Sequence, residues 1–126
     1  MHNYLENIQN ITLENNNFRK VLFTGKNMQL VVMSLLPKEE IGMEIHKDVD
    51  QFFRVEQGSC TIIMDGKEQK ASDDFAFIVT AGTEHNVINN SETEVLKLYT
   101  IYSPPNHPDG TIHVNKAEAD EYENNH

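Results

Sequence analysis

Four side chains of ligand type stand at spacings that let them meet: Glu44, His46, Gln51 and His85. In an extended strand side chains alternate between faces, so Glu44 and His46 point one way and Ile45 the other. A short corner then leads into Gln51-Phe52-Phe53-Arg54-Val55, a second strand in which Gln51, Phe53 and Val55 share a face. The fourth group arrives from distant sequence, where Gly82 turns the chain and delivers His85 into another strand. Two imidazoles, a carboxylate and an amide oxygen form a candidate mononuclear metal site, suited to one divalent ion of zinc, iron, manganese, cobalt or nickel. The alternative is that His46 and His85 are hydrogen-bonded structural histidines. Polar groups converging inside one small barrel are costly to bury unless a metal or water satisfies them, which favours the metal.

The elements that must position these groups read as short strands separated by turns. Phe18–Thr24 and Met28–Leu36 flank the turn at Gly25, and Pro37 ends the second because it lacks a ladder donor. Met28–Leu36 is apolar on both faces, as suits the wall of a closed or two-layered sheet. Ser59–Met64 and Lys67–Ala71 flank Asp65-Gly66, a strong hairpin signal because a type I′ turn needs positive φ at both central positions. Phe75–Val79 and Glu94–Tyr102 follow, and no convincing helix is expected before the tail. This is an all-β barrel or sandwich. The expected organisation is an N-terminal arm over residues 1–17, lying on the domain or pairing as an edge strand, a barrel over 18–103 and a tail over 104–126. Pro104, Pro105 and Pro108 keep the start of the tail out of a central strand. Thr111–Val114 can add a short extended segment, and Lys116–Tyr122 one or two turns of acidic helix capped by Asn115.

A chain of 126 residues is expected to form one domain with a real core. Its formal net charge of −10 argues against a nucleic-acid surface, which needs clustered Lys and Arg. Cys60 is the only cysteine, so no intrachain disulfide forms, and it reads as a small wall residue in a reducing compartment. The N-terminus has neither a basic region nor an apolar run, so no signal peptide is read there, and no stretch approaches membrane-spanning length. A cytoplasmic protein without a membrane or nucleic-acid partner is expected.

Two spaced motifs carry a family resemblance. Glu44, His46, Gln51 and Gly58, followed by Gly82, His85 and Asn89, resemble the paired motifs of the cupin superfamily. Motif one there usually reads His, one residue, His, a short gap, Glu and then Gly; here Glu44 replaces the first His and Gln51 the Glu. In motif two Thr80 stands where Pro is usual, and Lys38 and Asp74 occupy positions that are usually Gly. The resemblance implies a double-stranded β-helix, or jelly-roll barrel, with a short C-terminal extension. The exchanged ligands keep the same total charge, one anionic and three neutral groups. The set and the tail from Ser103 to His113 also resemble small bacterial cupins of the mannose-6-phosphate isomerase-like group.

The resemblance implies a metal-dependent enzyme acting on a hydroxylated or carbonyl-bearing small molecule, most specifically a sugar isomerase. There a divalent ion polarises the carbonyl as a Lewis acid while a base moves the proton. Glu84, Tyr102, His107 and His113 are the candidate catalytic groups. A non-haem dioxygenase is the second reading, since two His and one carboxylate form the set that activates dioxygen. A non-catalytic sugar- or metabolite-binding protein is the third. His107 and His113 are expected on the surface with the tail packed outside, and His2 and His126 are expected in solvent. A homodimer through Met28–Leu36 and the N-terminal arm is expected, because cupins commonly pair through outer strands.

Overall fold

The computed structural model describes residues 3–125, so the expectations for His2 and His126 lie outside it. Among the described residues the chain forms helix α1 (Ile8–Glu14), then strands β1 (Arg19–Thr24), β2 (Gln29–Leu35), β3 (Asp50–Gln57), β4 (Ser59–Met64), β5 (Lys67–Ser72), β6 (Ala76–Val79), β7 (His85–Ile88), β8 (Leu96–Ser103) and β9 (Ile112–His113), and finally helix α2 (Lys116–Asn125). A larger sheet runs in the order β6-β3-β8-β2-β1-β9 and a smaller one in the order β5-β4-β7. The core lies between them, with Met33, Leu35, Phe53, Val55, Val87, Leu96 and Leu98 fully buried. Gln51, Phe53 and Val55 of β3 share the inner face as alternation requires, and Phe53 stacks on Phe77 at 4.6 Å between ring centroids. The Asp65-Gly66 hairpin has φ of 48° and 81°, the two positive values of a type I′ turn.

Within the N-terminal segment Ile8–Glu14 is a helix, where none was expected before the tail. Asn7 caps α1 by accepting from the Asn10 amide at 3.1 Å. Ile8, Ile11, Thr12 and Asn15 recur at helical spacing and turn inward, which places α1 on the outer face of β2, β3 and β8. Buried Lys97 of β8 holds the end of this helix through the Asn15 carbonyl and the Asn16 side chain, the latter at 2.9 Å.

β2 is likewise not an outer strand. It pairs with β1 on one edge and β8 on the other, with one face in the core and part of the other against α1. No helix among the described residues is long and apolar enough to cross a membrane.

Candidate metal centre

Residues 40–46 run beside β7 as an irregular extended segment. Glu44 and His85 exchange both backbone hydrogen bonds, at 2.8 and 2.9 Å, and the Gly82 amide donates to the His46 carbonyl at 2.8 Å. Gly42, at φ 109°, breaks the ladder and gives its amide to the Asn86 side chain at 2.8 Å. Alternation nevertheless holds: Ile45 is half exposed, while Glu44 and His46 face inward.

Glu44, His46 and His85 each offer a ligand atom, all within 4.8 Å of one another. His46 Nε2 is 3.8 Å from Glu44 Oε2, and the two imidazole centroids are 5.4 Å apart. His85 Nδ1 bonds the Thr83 carbonyl at 2.9 Å, which fixes Nδ1 as the protonated nitrogen and leaves Nε2 as a bare lone pair. Gln51 gives its amide nitrogen to Thr100 Oγ1 at 3.0 Å, and Thr100 in turn donates to the Phe52 carbonyl at 2.8 Å. Gln51 Oε1 is thereby the free end of a side chain whose orientation is set from behind. His46 Nε2, His85 Nε2 and Gln51 Oε1 are all buried without a hydrogen-bond partner. Buried polar atoms are rarely left so, and three in one place, beside a carboxylate, have the donor chemistry of a divalent transition-metal site.

The surroundings tune these groups. Burial raises the Glu44 carboxyl and lowers the His46 imidazole, the latter also through the neighbouring His85, so the surroundings disfavour the charged form of each. A cation inverts that preference at Glu44 and completes the lone pairs of both histidines.

Three of the four candidate catalytic groups come together. The Tyr102 hydroxyl lies 3.2 Å from His107 Nε2, and the Tyr102 ring meets His46 edge-on at 5.9 Å between centroids. Burial pushes the Tyr102 hydroxyl up to about 12 and the His107 imidazole down to about 3, so the pair is a phenol facing a neutral imidazole. His113 is 3.1 Å from an Arg19 nitrogen and packs against Tyr122. Glu84 is exposed on the opposite face from His85 and does not join them.

The expectation of surface histidines in an outlying tail is corrected: His107 and His113 are 9% and 6% exposed. Gln29 explains the first, since its amide grips the Asn106-His107 backbone with bonds of 2.8 to 3.1 Å and draws the tail inward at the barrel mouth. Asn115 caps α2 by accepting from Glu118 at 2.9 Å, Lys116 bonds the Ile41 carbonyl at 3.0 Å, and Ala119 joins the core cluster. A pocket of about 450 Å³ remains between this tail and the ligand segment, lined by Glu44, His46, His107, Tyr122 and Glu123 among others.

Arg19 and Gln29 are the site residues that sequence reading missed. Arg19 stands in phase with buried Val21 on β1, and a charged residue at an inward position is the signal that marks it. Of the remaining motif residues, Asn89 ties the carbonyls of Leu35, Leu36 and Glu94 together and does not face the pocket. Arg54 pairs with Asp74 at 3.1 Å, away from Glu44.

Relatives share both the sequence and this architecture. The chain is 50% identical over 123 residues to YrkC of Bacillus subtilis (strain 168), covering 92% of this chain and 65% of that protein. It is 43% identical over 120 residues to L612 of Acanthamoeba polyphaga mimivirus, covering 92% and 74%. The chain therefore spans just under two thirds of YrkC's length. The crystal structure of BH2720 from Bacillus halodurans superposes with a TM-score of 0.92 at 41% identity over 95% of both chains. Residues 31–102, which hold Glu44, His46, Gln51 and His85, match the family described as Cupin domain, and the chain belongs to the cupin family.

Proposed function

We propose that this chain is a metal-dependent enzyme acting on a small molecule that carries a carbonyl or hydroxyl group, with aldose–ketose isomerisation as its most specific form. The observation that carries the reading is the convergence of His46 Nε2, His85 Nε2 and Gln51 Oε1, buried and unpartnered, around the Glu44 carboxylate. These four residues would hold one divalent ion, which when bound supplies Lewis acidity. The protein's own part in the chemistry lies with Tyr102 and His107. A phenol held protonated can donate a hydrogen bond to a substrate oxygen, and neutral His107, whose Nε2 lies 3.2 Å from the hydroxyl, orients it. The tail from Asn106 to Glu123 narrows the mouth and limits water around these groups. The mannose-6-phosphate isomerase-like version draws its support from ligand types alone.

The two-histidine, one-carboxylate set also favours a second reading, a non-haem iron oxygenase. Elemental analysis of protein purified without chelators, beside His46→Ala and His85→Ala, tests the shared premise: near-stoichiometric metal in the parent and its loss in both variants. Oxygen uptake during turnover of candidate diols and hydroxyketones then separates the readings, since isomerisation consumes none. A parent protein that takes up no metal on reconstitution overturns both and leaves a binding protein whose polar pocket holds its ligand directly.

A further inference from the structure

Arg19 is 2% exposed, yet among the described residues no carboxylate lies within ion-pairing distance of it. One terminal nitrogen meets His113 Nδ1 at 3.1 Å, while its Nε is buried without a hydrogen-bond partner. Two other cations of the fold have acids: Arg54 has Asp74, and Lys116 has Asp120 at 2.8 Å. A buried charge is ordinarily paired, because desolvation without a partner is expensive.

The rest of the pocket supplies no answer to this charge. Glu44 lies close enough for the two to influence each other, but its carboxylate is the anionic ligand of the metal centre. Tyr102 and His113, the side chains that meet Arg19, are not acids. Glu123 stands at the mouth, in the lining of the outer pocket. A void of about 210 Å³ lined by Phe18, Glu44, Lys116, Asp120 and Glu123 reaches Arg19; Asp120 is taken by Lys116, and a divalent ion on Glu44 would leave the inner end net positive.

Resting on the metal-centre reading, we propose that Arg19 anchors the substrate's anionic end, and that the substrate is a small carboxylic acid with a carbonyl or hydroxyl oxygen beside the carboxylate. The planar guanidinium matches the two oxygens of a carboxylate, and the adjacent oxygen is then directed toward the Glu44, His46 and His85 cluster. A phosphate would call for further donors. Lys116, the one other cation in the lining, is engaged by Asp120 and the Ile41 carbonyl. His113 is a positioning residue that holds the guanidinium from behind.

Calorimetry on the full, metal-loaded chain tests this with lactate and pyruvate, their neutral counterparts propane-1,2-diol and hydroxyacetone, and inorganic phosphate. The acids are expected to bind at least about tenfold tighter than the neutral compounds, as one charge-assisted pair requires. Arg19→Met should erase that preference with metal content unchanged, and Arg19→Lys should keep part of it. Equal affinity for acids and diols, phosphate binding tighter than either acid, or undiminished acid binding by a folded, metal-replete Arg19→Met protein would each overturn the proposal. If Arg19→Met does not fold, the lactate to propane-1,2-diol contrast in the parent protein decides. An acid preference that vanishes with Arg19→Met in a chain that takes up no metal sinks the metal reading and leaves the anchor standing.

Discussion

His85 Nδ1 lies 2.9 Å from the carbonyl oxygen of Thr83, two residues back on the turn that Gly82 initiates. The same turn that places His85 in β7 also fixes its tautomer, so the nitrogen aimed at Glu44 and His46 carries a lone pair before any ion arrives. Replacing His85 or His46 by Ala is expected to lower metal affinity by more than the ~10–100-fold typical of losing an outer partner of a ligand. Thermal unfolding provides a second readout. Metal at about 100 times its Kd adds about 2.7 kcal/mol to the parent, roughly 10 °C in Tm, and should add nothing to either variant.

His107 gives the metal-free protein a pH dependence of predictable sign. Burial lowers its folded-state pKa to about 3, while the unfolded chain titrates near its ordinary 6.5. Above 6.5 the imidazole is neutral in both states and costs nothing. As pH falls below that value the unfolded chain gains a proton that the folded protein refuses, so stability drops progressively until about pH 3. The loss over that window is on the order of 5 kcal/mol. Glu44, whose carboxyl is raised by burial, acts in the opposite direction, favouring the folded state more as the pH falls toward its unfolded value. Scans of Tm against pH in the presence of chelator should therefore be flatter for His107→Gln than for the parent. Parallel curves would mean that His107 is solvated.

Much of this architecture is legible from alternation and turn chemistry, and the failures have physical causes. β3, the Asp65-Gly66 hairpin and the inward pairing of Glu44 with His46 follow from a period of two and from the residues that tolerate positive φ. Lys38 and Asp74, which stand where the resemblance has Gly, do adopt positive φ, at 70° and 73°. Helix α1 escaped because it is only seven residues long, with the β-branched Ile8, Ile11 and Thr12 inside it and Asn on both sides, so that only Ile8, Ile11, Thr12 and Asn15 at helical spacing announced it. The inward course of the tail depends on Gln29 meeting His107 across 78 positions, a contact no local pattern encodes. Arg19 was read as an ordinary strand residue because partnerless burial is a property of the assembled interior.

Gly58 separates two uses of glycine in this barrel. It adopts φ +101°, and an added Cβ would come within 3.0 Å of the Val95 carbonyl and 3.3 Å of Leu96 Cα, both of them backbone. Gly66, at φ +81°, would meet nothing within 4 Å. Gly66→Ala should therefore cost only the left-handed strain of about 1–2 kcal/mol. Gly58→Ala adds to that strain the overpacking of about 1–3 kcal/mol that comes from forcing two strands apart. Urea unfolding of the two variants checks the order; equal midpoints would show that β8 yields to the extra methyl.

Helix α2 is expected to govern exchange at the metal centre. Ala119 is 3% exposed and packs into the core cluster, Lys116 ties the helix to the Ile41 carbonyl, and Glu123 lines the pocket beside Glu44 and His46. None of these residues is a ligand, so unseating the helix should change how fast an ion escapes more than which atoms hold it. Ala119→Glu would place an unpaired carboxylate where only a methyl fits, and the helix end would lift away to solvate it. Release of metal to excess chelator, followed over time, should then accelerate by about tenfold or more while stoichiometry at saturating metal is unchanged, since about 1.4 kcal/mol less hold on the closed tail suffices. Lys116→Ala, which removes one hydrogen bond and one exposed ion pair, should give a smaller increase. If Ala119→Glu lowers Tm without altering the release rate, α2 buttresses the barrel and the ion leaves by another route.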